Sequence, residues 1–144
     1  MGEAMYYLKA RCASQEAAIE LEGEFRALLD DLVLLNRDWQ RIRNQADRTC
    51  GARRAELTAN HALAASLLEG HTCLDGSDRY MNCLAGTLPD MTENYLLRRT
   101  ETTLLLSDAV WHFTEWDALV RWLEQRNARA TYVSDEEVDP FELL

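Results

Sequence analysis

Residues 14–44 read SQEAAIELEGEFRALLDDLVLLNRDWQRIRN, and this stretch decides the fold. Ala18, Leu21, Phe25, Leu28, Leu32, Leu35, Trp39 and Ile42 recur at alternating intervals of three and four. Such spacing puts them on one side of a helix as an unbroken heptad seam. Leu29 and Val33 widen the stripe. Ser14 supplies a side-chain cap, and Glu16 and Glu20 sit near the positive end of the helix. At 1.5 Å per residue the helix is roughly 45 Å long. Gly23 costs about 1 kcal/mol relative to alanine, which the seam outweighs.

Downstream, the pattern breaks at residues 47–51. A second helix is predicted over residues 52–69, from six alanines with Leu57, Leu63, Leu67 and Leu68, and Gly70 closes it. A short connection between two amphipathic helices implies an antiparallel hairpin. Upstream, residues 6–12 are rich in strand formers. Residues 71–93 carry turn chemistry and read as a long loop, with room for a short strand at 80–84. Residues 94–99 and 102–106 read as a β-hairpin with its turn near Thr100 and Glu101. Residues 110–113 extend that sheet or lead into a helix that Thr114 caps. Its face is Trp116, Leu119, Val120 and Leu123, and Asn127 ends it. Residues 130–133 form a last strand, and residues 134–144 make a tail with five carboxylates.

The resulting order resembles the split βαβ of ferredoxin-like domains, with the helical hairpin inserted after the first strand. The expected class is therefore α+β in one domain, which suits 144 residues. That resemblance implies no particular activity, because such folds host many.

Composition narrows the function classes. The net charge is −10 and the pI about 4.7, so nucleic acid and anionic membranes are not expected partners. No apolar run approaches the roughly 20 residues of a membrane span. The start lacks the pattern of a signal peptide, and Tyr6 stands where myristoylation needs Ser or Thr. Widely spaced Cys12, Cys50, Cys73 and Cys83 without a secretion signal predict free thiols in a reducing cytoplasm.

Charge is uneven along the chain. Arg37, Arg41, Arg43, Arg48, Arg53 and Arg54 face only Asp38 and Asp47 in residues 37–54, a net +4 at the predicted hairpin tip. Arginine near a helix C-terminus is usually macrodipole complementation. The sharper reading makes Arg37, Arg41, Arg48, Arg53 and Arg54 a docking patch for an acidic partner. The seam has a similar pair of readings. It is covered within one chain, or its excess width lets Leu28, Leu32, Leu35 and Trp39 pair with a second copy in a homodimer.

His61, His71, Cys73 and Cys83 are the right elements for zinc, but only His71 and Cys73 are closely spaced. A metal site is not expected, and no cofactor is. Cys83 and His112 lack any local mark of a nucleophile and its base. Residues 75–78 lack the alternating ligands of a calcium loop, and no phosphate-cradling glycine loop occurs. Among Trp111, Phe113, Trp116, Trp122 and Tyr132 most read as core, and Trp122 departs from the helical face as a candidate contact. The leading expectation is a non-catalytic binding or assembly module acting through its helical hairpin. The alternatives are an acidic inhibitor of a basic enzyme and a small-ligand or metal-dependent enzyme.

Overall fold

A computed structural model describes residues 6–43, 59–68, 93–107 and 113–134. Their order is β1 (Tyr6–Arg11), α1 (Gln15–Arg43), α2 (Ala62–Ala65) running into a 3-10 turn (Ser66–Leu68), β2 (Leu96–Thr100), β3 (Thr103–Ser107), α3 (Phe113–Glu124) and β4 (Arg129–Ser134). The protein is mixed α+β, with one four-stranded sheet in the order β2-β3-β1-β4. Every neighbouring pair of strands is antiparallel.

The long helix forms as its periodicity predicts, without a break. Ser14 caps it: the Ala17 amide donates to Ser14 Oγ at 3.1 Å. The seam is the core of the molecule. Ala18, Leu21, Phe25, Leu28, Leu29, Leu32 and Leu35 are all buried, against Leu8 and Ala10 of β1, Leu97 of β2, Leu104 and Leu106 of β3, and Leu119, Trp122 and Leu123 of α3. Trp122 belongs to this core. It stacks on Phe25 with ring centroids 5.5 Å apart, and Arg126 lies over its other side at 3.7 Å. Its departure from the expected face is resolved by a wider face that also takes in Ala118.

The β-hairpin turns at Glu101 and Thr102, one residue later than expected, with Thr100 opposite Thr103. Glu101 adopts φ 52°, a left-handed conformation that costs a non-glycine residue about 1 kcal/mol. The Cys12 amide donates to the Thr102 carbonyl at 2.8 Å, which ties the turn to the end of β1. Asn127, at φ 66°, ends α3 as expected, and the Ala128 amide returns to the Leu123 carbonyl.

The second helix departs from expectation. Its first part and the loop of residues 71–92 lie outside the described residues. In the described part the helix is interrupted at His61, whose backbone sits at φ −134°, ψ 58°. Alanine-rich composition favours helix through this point, but a tertiary contact wins. His61 is drawn against α1, and Ala64 and Leu67 enter the core behind it. Two further ties bind the chain ahead of β2 to α1. The Tyr95 hydroxyl donates to Asp30 at 2.5 Å, and Arg37 meets Glu93 at 2.6 Å. Among the described residues no helix is long and apolar enough to cross a membrane.

Candidate functional site

Alternation along a strand sends successive side chains to opposite faces. Here Leu8, Ala10, Leu97, Leu104 and Leu106 face the helices. The register therefore fixes who shares the other face. Leu105 of β3 lies between Arg98 of β2 and Lys9 of β1, and Thr103 lies between Thr100 and Arg11. Across the next junction Lys9 stands opposite Thr131, and Arg11 directly opposite Arg129. Lys9, Arg11, Arg98 and Arg129 thus share a sheet face on which no strand places an acidic residue. Three of them, Lys9, Arg11 and Arg129, line a shallow open depression of about 270 Å³ together with Ala130 and Thr131.

This set is unusual in two respects. The chain as a whole carries −10, so a cationic sheet face without a carboxylate among its described residues runs against its composition. Like charges directly across a strand pair are destabilising, and Arg11 opposite Arg129 is such a pair. Elsewhere cations are matched: Arg26 and Arg99 with Glu22, Arg37 with Glu93, Arg126 with Glu24. Among the described residues no carboxylate forms an ion pair with the four cations of the sheet face.

A second cluster is buried. His61 is 6% exposed, and each of its ring nitrogens meets a carboxylate of α1: Nδ1 meets Asp31 at 2.9 Å and Nε2 meets Asp38 at 2.6 Å. The other oxygen of Asp31 accepts the Ala64 amide at 2.8 Å and so caps α2. A neutral imidazole has one N–H, so one carboxylate would face a nitrogen lone pair. Burial lowers the proton affinity of His61, but the hydrogen bonds to Asp38 and Asp31 and their charges outweigh it and raise its pKa. With both nitrogens occupied, His61 holds its segment to α1 and has no free lone pair for a metal. Among the described residues no group of three or more potential ligands is arranged to hold a metal ion.

The residues singled out from sequence fall as follows. Leu28, Leu32 and Leu35 are at most 2% exposed, covered by their own chain. The apolar stripe that suggested a second copy is used up at these positions by the sheet, α3 and the segment behind His61. Arg37 is paired with Glu93, while the side chains of Trp39 and Arg41, and Arg48, Arg53 and Arg54 entirely, lie outside the described residues. So do His71, Cys50, Cys73, Cys83 and His112. Cys12 is a buried free thiol whose pKa burial raises, which makes it a poor nucleophile. Sequence reasoning missed the sheet face because its four cations span residues 9 to 129 and meet only through register. Asp31 and Asp38 did leave a signal: seven residues apart, they share one side of α1 beside the seam.

No protein-family model, no characterised protein and no solved structure matches this chain.

Proposed function

We propose that the chain is a binding module acting through protein–protein contact, and that a carboxylate-rich segment of a partner docks on the outer face of the sheet. The observation that carries this reading is the juxtaposition of Lys9, Arg11 and Arg129 around one depression, with like charges set opposite each other at a cost to stability. Arginine suits this task, because its planar fork takes a carboxylate through two parallel bonds. A peptide fits better than nucleic acid. Stacking on a succession of exposed aromatic rings is the usual platform for single strands, and the described strand residues of this face offer one half-buried ring, Tyr7, beside Leu96, threonine and arginine. Overall charge of −10 also repels a polyphosphate.

The fold reading that accompanies this proposal is the ferredoxin-like split βαβ. The strand order β2-β3-β1-β4, with α1 and α3 packed on one face, supports it and leaves the other face for a ligand. In this reading the helical hairpin of about residues 14–69 is inserted after β1, and the arginine cluster of residues 37–54 at its predicted tip offers a further contact surface. Homodimerisation belongs to the same proposal only through surfaces other than Leu28, Leu32 and Leu35. Light scattering tests it, and a strict monomer at high concentration removes it.

The docking test is a titration with fluorescein-labelled deca-glutamate at low salt. The variant Lys9→Glu/Arg11→Glu/Arg129→Glu is expected to bind at least about tenfold more weakly than the parent, and salt should weaken the parent's binding. Equal binding by parent and variant removes the sheet face from the reading. Tighter capture of a labelled single-stranded DNA decamer than of the peptide overturns the choice of partner class.

A further inference from the structure

We propose that residues 135–144 of the same chain dock on the outer sheet face and compete there with the acidic partner segment. The inference rests on the reading of that face as a carboxylate-binding surface and adds how access to it is regulated. Three observations carry it. The first is charge: the segment SDEEVDPFELL that begins at Ser134 holds Asp135, Glu136, Glu137, Asp139 and Glu142 and no cation. It is complementary to a face with four cations and, among the described residues, no carboxylate.

The second is reach. β4 ends at Ser134, which pairs with Tyr6 at the far end of β1 from the depression. Thr131, opposite Lys9, lies three residues back, and Arg129, opposite Arg11, lies five back. At about 3.3 Å per residue these are roughly 10 and 17 Å along the strand. Residues 135–144 span up to about 33 Å when extended, enough to turn at the end of β4 and run back over the face. Asp139 and Glu142 then come level with Lys9, Arg11 and Arg129.

The third is burial. Leu105 projects at the centre of the outer face, outside the apolar cluster that the helices build, yet it is 1% exposed. Arg98 and Lys9 flank it with their aliphatic stems, and Tyr7 and Leu96 lie diagonally across from it on the same face. In an extended segment Phe141 and Leu143 alternate onto the same side as Asp139 and bring apolar groups toward it together with that carboxylate. Carboxylates for the rim and apolar groups for the centre match what the face offers.

Lys9 is the only lysine in the chain, which gives a direct chemical test. A water-soluble carbodiimide activates a carboxylate, and the Lys9 amine displaces the urea to form an amide with net loss of one water. In the full chain, mass spectrometry of the monomeric fraction should find Lys9 joined to a carboxylate of residues 135–142. Absence of that linkage, or its presence only in a dimeric fraction, overturns the intramolecular docking.

The second measurement uses a full-length variant with the five carboxylates amidated, Asp135→Asn, Glu136→Gln, Glu137→Gln, Asp139→Asn and Glu142→Gln. A tethered competitor acts at millimolar effective concentration, so its removal should tighten deca-glutamate binding by about tenfold. Unchanged affinity, with binding still abolished by reversal of Lys9, Arg11 and Arg129, overturns the tail inference and leaves the sheet-face reading standing. An amidated variant that fails to bind deca-glutamate at all overturns both.

Discussion

The two faces of the one sheet treat their side chains in opposite ways. On the inner face the strands present Leu8, Ala10, Leu97, Leu104 and Leu106 to α1 and α3, and Arg99 at its edge is matched by Glu22 at 3.2 Å. On the outer face, one residue along each strand, stand Lys9, Arg11, Arg98 and Arg129 with no described carboxylate paired to them. The inner face is arranged for stability. The outer face spends stability, most plainly where Arg11 meets Arg129, and so is the better place to look for function.

The sharpest way to break this contrast is to truncate neighbours on β3. Leu106 is fully buried between Leu8 and Leu97 on the inner face. Leu106→Ala should cost about 3 kcal/mol through lost transfer energy and the cavity left behind, read as a shift in urea midpoint. Leu105→Ala, one residue away, should cost about half as much, since a charged rim collapses around it more readily than a leucine cluster does. Equal losses would mean that the two faces are equally packed and the contrast is wrong.

Next in size is the clamp that holds the segment behind His61. His61→Ala removes the cation that Asp31 and Asp38 both face in a largely buried setting and should cost about 3 kcal/mol or slightly less. The loss should fall first on residues 61–67, as faster amide exchange at Ala64 and Ala65, with the sheet unaffected. The pH dependence has a definite sign. The folded pKa of His61 is raised above its ordinary 6.5, so its contribution is complete below about 6.5 and is lost as pH rises through the folded value. The parent should therefore lose stability relative to His61→Ala on going from pH 6 to pH 9. A histidine held neutral by burial would give the reverse slope.

These two regions also mark how far the sequence can be read. The heptad spacing of α1 gives its length, its cap and its buried side, because helical periodicity is a local property of thirty consecutive residues. Each described strand is legible within two residues for the same reason. Strand order and register are not local. Nothing in residues 9, 11, 98 and 129 taken separately says that they share a surface, and the arginines near residues 37–54 drew attention because they are neighbours in sequence. The interruption at His61 was hidden for a related reason. The alanines around it favour helix, and only the pair Asp31 and Asp38, far upstream, supplies the force that breaks it.

A smaller effect sharpens the comparison within β2. Arg98 and Arg99 are adjacent but point to opposite faces. Arg99 is half-buried and reaches Glu22, so Arg99→Ala should cost about 1 kcal/mol. Arg98 is exposed and unmatched among the described residues, so Arg98→Ala should stay within about 0.5 kcal/mol of the parent. In binding the order should invert: deca-glutamate affinity falls for Arg98→Ala and holds for Arg99→Ala.

The smallest expected change in stability tests the argument most directly. Arg129 stands directly across from Arg11, and a glutamate at that position would turn repulsion into attraction. Arg129→Glu should raise stability by about 0.5 kcal/mol, the scale of one cross-strand charge pair, and more at low salt than at high. The same substitution removes a cation from the depression and places a carboxylate where an acidic ligand has to sit. Peptide binding should fall as stability rises. A variant that gains stability and keeps its affinity would show that the opposed arginines are an accident of composition. A variant that loses both would place Arg129 among the residues that hold the sheet together.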